Sequence, residues 1–222
     1  MTDPISVTIC MPWRPQPDRI AAYERCRKWW ESRRFTVVTG DSSRVAPFVC
    51  NEARNNAARQ ADTDILVITD ADTLPENQHQ VIKAISMVDK GEADIVYPFT
   101  IYRYIPPAWT DNPTEELHKA PILGETFNSP GGMIVVNREA FWSINGFDER
   151  FIPGASGFDD TSFMLAAQTL LNTQRIMGTV YSFDHPESVV RDYGEDNPNI
   201  SRYKLYEYAN LNPKLMNELV KR

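Results

Sequence analysis

Apolar residues fall along the chain in two alternating rhythms, short continuous runs and longer stretches with helical spacing. Ile5 to Met11 is an apolar, β-rich run closed by Pro12, and Asp18 to Arg33 places Ile20, Tyr23, Cys26 and Trp30 on one side of a helix. Phe35 to Thr39 reads as a second strand ending in Gly40-Asp41-Ser42-Ser43, and Asn51 to Gln60 as a helix rich in Ala, Asn and Arg. Ile65 to Thr69 is apolar on both faces, as a central parallel strand requires. A helix from about Gln78 to Asp89 and a strand from Asp94 to Pro98 follow. Strands alternating with helices imply βαβ units, hence an α/β fold with a mostly parallel central sheet flanked by helices.

The pattern weakens from Thr100 to Ser129 into aromatic, Pro and acidic residues, a long irregular segment expected to serve the acceptor side of a site. Gly131 to Val136 restores a strand, Arg138 to Ile144 a short helix, Asp159 to Leu171 a longer helix with an acidic first turn, and Ile176 to Phe183 a strand running into Asp184-His185-Pro186. Ser201 to Arg222 reads as a helical tail interrupted near Asn212-Pro213. Trp29 and Trp30 are adjacent on one helix and face different directions, so at most one of them is expected to be buried.

The 222 residues, 42% of them hydrophobic, suffice for one sizeable domain. A net charge of −7 argues against an open basic surface, so nucleic acid is disfavoured as a partner without being excluded. No basic leader with an apolar core and no apolar run of membrane-spanning length is present, which makes the cytoplasm the expected compartment. Cys10, Cys26 and Cys50 are widely spaced within apolar or helical patterns, as reduced core thiols are.

Chemistry concentrates where the central strand ends, at Asp70-Ala71-Asp72. On an extended backbone the two carboxylates share a side and repel unless a cation sits between them. A divalent metal answers this, since hard cations take carboxylate oxygens and hold phosphate oxygens as well. The plainer reading is a polar turn. In open sheets ligands bind beyond the carboxyl ends of the strands, so Pro12 to Arg14, Asp41 to Ser43 and Asp70 to Asp72 should converge on one rim.

The ordered series Val7 to Pro12, Gly40 to Ser43, Asn51 to Asn56 and Asp70-Ala71-Asp72 resembles the nucleotide-sugar half of a GT-A glycosyltransferase. Ser129-Pro130-Gly131-Gly132, Phe141 to Asp148 and Gly157-Phe158-Asp159-Asp160 are similar to the acceptor half of inverting, family-2-like and galactosyltransferase-like enzymes of that fold. The resemblance covers roughly residues 5 to 186. It departs from the pattern in having Asp159 where Glu is frequent, no tryptophan before Gly157 and no large C-terminal domain, which touches the acceptor pocket, size and partners.

The resemblance implies a GT-A domain over 1–200, with a nucleotide-sugar half about 1–98, an acceptor half about 99–200, and a helical tail over 201–222. It implies an inverting, metal-dependent hexosyl transfer from a nucleotide diphosphate donor, most naturally a UDP-sugar, to an acceptor hydroxyl of unspecified class. Asp72 becomes a direct ligand of Mn²⁺ or Mg²⁺, with Asp70 reaching the metal through water or binding the ribose. His185 completes the metal shell or is a structural histidine; His79 and His118 read as surface residues. Asp160 is the general base or a helix cap, and Asp159 binds an acceptor hydroxyl. Asp41 accepts a hydrogen bond from the nucleobase or serves a turn. Arg54 neutralises a phosphate, pairs with Asp70 or lies on the helix surface, Arg14 could serve likewise, and Gly131 and Gly132 let backbone approach the donor sugar or form a turn. Tyr102, Tyr104 and Trp109 stack on acceptor or enter the core.

Two competing functions remain open at this level. A sugar nucleotidyltransferase shares the sheet and the metal, yet it needs a Gly-rich, cationic loop after the first strand, and Pro12-Trp13-Arg14-Pro15 is not one. A catalytically silent module that binds carbohydrate or a protein partner is the other.

Overall fold

The computed structural model describes residues 5–43, 48–152, 157–185 and 196–221. The chain runs β1 (Val7–Pro12), α1 (Ile20–Glu31), β2 (Thr36–Gly40), α2 (Cys50–Arg59), β3 (Ile65–Thr69), β4 (Thr73–Pro75), α3 (Gln78–Asp89), β5 (Ile95–Tyr97), β6 (Ile101–Ile105), β7 (Gly124–Phe127), β8 (Met133–Asn137), α4 (Arg138–Ser143), α5 (Asp159–Leu170), β9 (Thr173–Arg175), β10 (Thr179–Phe183), α6 (Ile200–Ala209) and α7 (Pro213–Lys221).

Six strands form the central sheet in the order β2-β1-β3-β8-β5-β9. β2, β1 and β3 are parallel, β8 runs antiparallel between β3 and β5, and β5 is parallel to β9. Successive residues of one strand serve opposite faces. Ile9, Met11, Ile65, Val67 and Val135 pack with Tyr23, Cys26 and Trp30 of α1 and Val81, Ala84 and Ile85 of α3. Cys10, Leu66, Ile68, Ile134 and Val136 pack with Ala57 and Ala58 of α2, Phe141 of α4 and Phe163 and Ala167 of α5. Both faces are thereby covered, which is why β3 is buried at every position.

The segment 100–129 is more ordered than its composition suggests. β6 and β7 pair within it and join β4 and β10 in a second sheet, order β4-β10-β6-β7. The β-branched and aromatic residues of Ile101 to Ile105 are the strand signal that the surrounding Pro and acidic residues obscure. Between these strands two 3₁₀ turns, Pro107–Trp109 and Thr114–Lys119, cross α1, held where Arg25 Nη2 donates to the Asn112 carbonyl and to Thr114 Oγ1 at 3.0 and 2.8 Å. That second covering corrects the expectation for the tryptophan pair: Trp29 and Trp30 are both buried, edge to face, because α1 lies between the sheet and this crossing segment. Trp109 packs against the same core.

The cysteines are unpaired, as expected; Cys10 and Cys26 are buried, and loss of solvation pushes the Cys10 and Cys50 thiols up to about 12. At the C-terminal end α6 and α7 close over α5 through Tyr206, Ala209, Met216 and Val220, against Phe151 and Ala166. Asp148 ties the tail to the body, accepting from Arg202 Nε at 2.5 Å, Tyr206 Oη at 2.8 Å and Arg150 Nε at 2.7 Å. No helix among the described residues is long and apolar enough to cross a membrane.

Candidate active site

The carboxyl ends of β1 and β3 open onto a cleft of about 980 Å³ lined by Pro12, Trp13, Arg14, Asp70, Ala71 and Asp72 on one side and by Gly131, Gly132, Asp159 and Asp160 on the other. The expected convergence of the first and third strand ends is therefore present. The end of β2 reaches the rim differently: Asp41 is half exposed, is not one of the residues lining the cleft, and meets it through Arg14, whose Nε donates at 2.8 and 3.1 Å to the two carboxylate oxygens. Arg14 Nη2 also donates to the Ser42 carbonyl at 2.8 Å.

β3 ends at Thr69 and the chain turns before β4, so Asp70 and Asp72 diverge instead of standing side by side on one extended strand. Asp70 is fixed by its backbone N–H, which donates to the Gly132 carbonyl at 3.0 Å, and by its Oδ1, which accepts from Arg54 Nη2 at 2.8 Å. Burial raises its carboxyl above the ordinary range, with Arg54 opposing and Asp160 and Asp72 adding to the rise.

Asp72 turns toward the second sheet. β4 pairs antiparallel with β10, Thr73 opposite Ser182, and Phe183 N–H donates to the Asp72 carbonyl at 3.0 Å. Two residues further on, His185 Nε2 lies 3.1 Å from Asp72 Oδ2. Carboxylate and imidazole thus meet at the adjoining ends of β4 and β10 in the second sheet. His79 and His118 are exposed, as expected, and do not line the cleft.

Asp159 and Asp160 open α5 after Gly157 (φ +110°) and Phe158 (φ +72°), a left-handed pair that turns the chain sharply into the helix. Phe158 is held in that conformation by stacking on Tyr203 of α6, ring centroids 4.6 Å apart. Asp160 Oδ1 accepts from Arg54 Nη1 at 2.7 Å. Loss of solvation pushes the Asp159 carboxyl up to about 7, and the neighbouring Asp160 charge adds to this, against Arg54 and backbone N–H groups.

The glycines of the Ser129 to Gly132 turn are explained by protein neighbours. A Cβ on Gly131 would lie 2.3 Å from Asp160 Oδ2, and one on Gly132, at φ +110°, would lie 2.4 Å from the Tyr102 ring. Tyr102 is buried beneath, its hydroxyl 3.2 Å from Thr73 Oγ1; Tyr104 stays on the cleft wall.

Asp72 Oδ2 and His185 Nε2 present one oxygen and one nitrogen donor at the same point of the wall, with side chains 15% and 19% exposed, so both are reachable. Among the described residues no group of three or more His, Cys, Asp or Glu side chains gathers closely enough to enclose a metal. A two-donor site suits a cation completed by phosphate oxygens, and the imidazole suits Mn²⁺ better than Mg²⁺. Arg19 and Asn51 also line the cleft with a buried polar atom lacking a protein partner, Arg19 Nε and Asn51 Oδ1. Neither was given a site role from the sequence; their positions at the starts of the helices after β1 and β2 were the available signal.

Residues 48–145 match the family model described as "Glycosyl transferase family 2". No curated protein sequence matches the chain. Among solved structures, the catalytic domain of Drosophila β1,4-galactosyltransferase 7 in complex with xylobiose is 16% identical, with 90% of this chain and 79% of that chain covered, at a TM-score of 0.52. A mutant of that enzyme in complex with manganese, UDP-Gal and xylobiose gives a TM-score of 0.53 at the same identity and coverage. S. aureus TarS in complex with UDP is 11% identical over 97% of this chain and 69% of that chain, at a TM-score of 0.49. At these identities the likeness is one of fold: the chain has the GT-A architecture of glycosyltransferases, enzymes that transfer sugars.

Proposed function

We propose that this chain, with the fold of GT-A glycosyltransferases, moves a sugar from a nucleoside diphosphate donor, a UDP-sugar first of all, to an acceptor hydroxyl with inversion at the anomeric carbon. The observation that carries the reading is the placement of two separate acidic stations on one cleft, Asp72 with His185 on one wall and Asp159-Asp160 on the other. One station suits a departing diphosphate and the other an incoming hydroxyl.

In this reading Asp72 and His185 hold a divalent cation, Mn²⁺ or Mg²⁺, whose charge offsets that developing on the diphosphate as the glycosidic bond breaks. Arg14 and Arg19, on the same side of the cleft, add positive charge toward the phosphates, and Asp41 orients Arg14. Asp160 accepts the proton of the attacking hydroxyl at the carboxylate oxygen that Arg54 does not bond. Attack from that wall, opposite the departing group, inverts the centre. Asp159, its carboxyl pushed up to about 7, exchanges hydrogen bonds with a second acceptor hydroxyl as donor or as acceptor according to pH. In this reading the transferase domain spans 1–200, and the helical tail 201–222 packs on α5.

Thermal unfolding with nucleoside diphosphates, each with and without MnCl₂, tests the donor side. A ligand at 100 times its dissociation constant adds about 2.7 kcal/mol, so one nucleotide should raise the melting temperature only when Mn²⁺ is present. No shift with any nucleotide would favour the silent binding module.

A further inference from the structure

Arg54 is 5% exposed, an unusual place for a guanidinium that is to meet a ligand. Its two terminal nitrogens are each committed to a carboxylate, Nη1 to Asp160 Oδ1 at 2.7 Å and Nη2 to Asp70 Oδ1 at 2.8 Å. Its face lies over the Phe147 ring, 4.9 Å from the centroid. Phe147 is itself fixed, stacked on Phe163 of α5 at 4.2 Å, and its backbone is bonded in both directions by Asn55, the residue after Arg54. The other oxygen of Asp160 lies where Gly131 has no side chain, 2.3 Å from where a Cβ there would stand.

We infer that Arg54 and Gly131 form a clamp that sets the direction of the Asp160 carboxylate, Arg54 holding one oxygen and Gly131 leaving space for the other, so that Arg54 is a positioning residue and not a ligand of the donor phosphates. This rests on the reading of Asp160 as the base. The clamp also ties the base to Asp70 through one rigid planar group, keeping the donor end and the acceptor end of the cleft in register. A fork that bonds two carboxylates at once is a property of arginine that lysine lacks.

Two variants test it. Arg54→Lys keeps the charge and loses the fork; Gly131→Ala keeps the fork and places a methyl where Oδ2 lies. A base misplaced by about 1 Å costs on the order of 100-fold, so each variant should lower turnover of a UDP-sugar by about that factor, with the affinity for UDP plus MnCl₂ by calorimetry unchanged. A UDP affinity that falls at least as much as turnover does, in Arg54→Lys, would overturn the clamp and make Arg54 a phosphate ligand. A thermal double-mutant cycle with Asp160→Asn reads the clamp without catalysis: the melting-temperature loss from Arg54→Lys should shrink in the Asp160→Asn background, and strictly additive losses would overturn the clamp. A wild-type chain that neither binds nor turns over UDP compounds sinks the transferase reading instead, while the cycle still decides the clamp.

Discussion

The two walls of the cleft hold their carboxylates by opposite means. On the acceptor wall Asp160 is bound to a buried arginine that is also bound to Asp70, and packing on Phe147 leaves that arginine no freedom. On the donor wall Asp72 has an imidazole 3.1 Å away and Asp41 an arginine at the rim, side chains 21% and 50% exposed for the latter pair. Removing the buried Arg54 would leave two carboxylates uncompensated, whereas the exposed Arg14–Asp41 pair exchanges readily with solvent or ligand. Under the proposed function, the comparison teaches that the protein fixes with its own arginine the carboxylate assigned as base, and leaves at the rim of the other wall the groups assigned to a cation and a diphosphate.

The sharpest way to break this contrast is to remove the acid at the rigid end. Asp160→Asn should reduce transfer by about 10²- to 10⁴-fold, the usual contribution of a general base, measured as UDP release in the presence of acceptor. At the open end Asp72→Asn should abolish most of the Mn²⁺-dependent stabilisation by UDP, a loss of about 2.7 kcal/mol under conditions where wild type is 100-fold above its dissociation constant.

Asp159 gives a pH test. Its folded carboxyl is raised toward 7, above the value near 4 of an unfolded chain, so between these limits the native state retains a proton that the unfolded state gives up. Its contribution to stability is present in acid and is lost as pH rises through about 7. Melting temperature should therefore fall less between pH 5 and pH 8 in Asp159→Asn than in wild type, and parallel curves would refute the shift. The smallest effect belongs to the exposed pair: Asp41→Ala should change stability by no more than about 1 kcal/mol in chemical denaturation, because Arg14 remains solvated and keeps the Ser42 carbonyl.

What the sequence disclosed and what it concealed follow from range. The strand Ile65 to Thr69, the amphipathic helices and the terminal acids are local patterns, readable from spacing alone. The second sheet was concealed because β6 and β10, its parallel pair, lie more than 70 residues apart and β7 and β4 are short. For the same reason Trp29 was misjudged: its cover comes from a segment some 80 residues later. At the cleft, which residues lie near the strand ends was legible from the sequence, and most of their long-range partners were not. The pairing of Arg54 with Asp70 was among the readings of the sequence, but nothing local to Arg54 states that it also holds Asp160, nor that the glycines at 131 and 132 have the Asp160 carboxylate and the Tyr102 ring as neighbours.

The division between a fixed acceptor wall and an adjustable donor wall is tested most directly by calorimetric titration of UDP with MnCl₂ into Asp160→Asn and Asp72→Asn side by side. The account predicts wild-type affinity in the first and an affinity at least tenfold weaker, about 1.4 kcal/mol, in the second. Equal losses in both variants would contradict it.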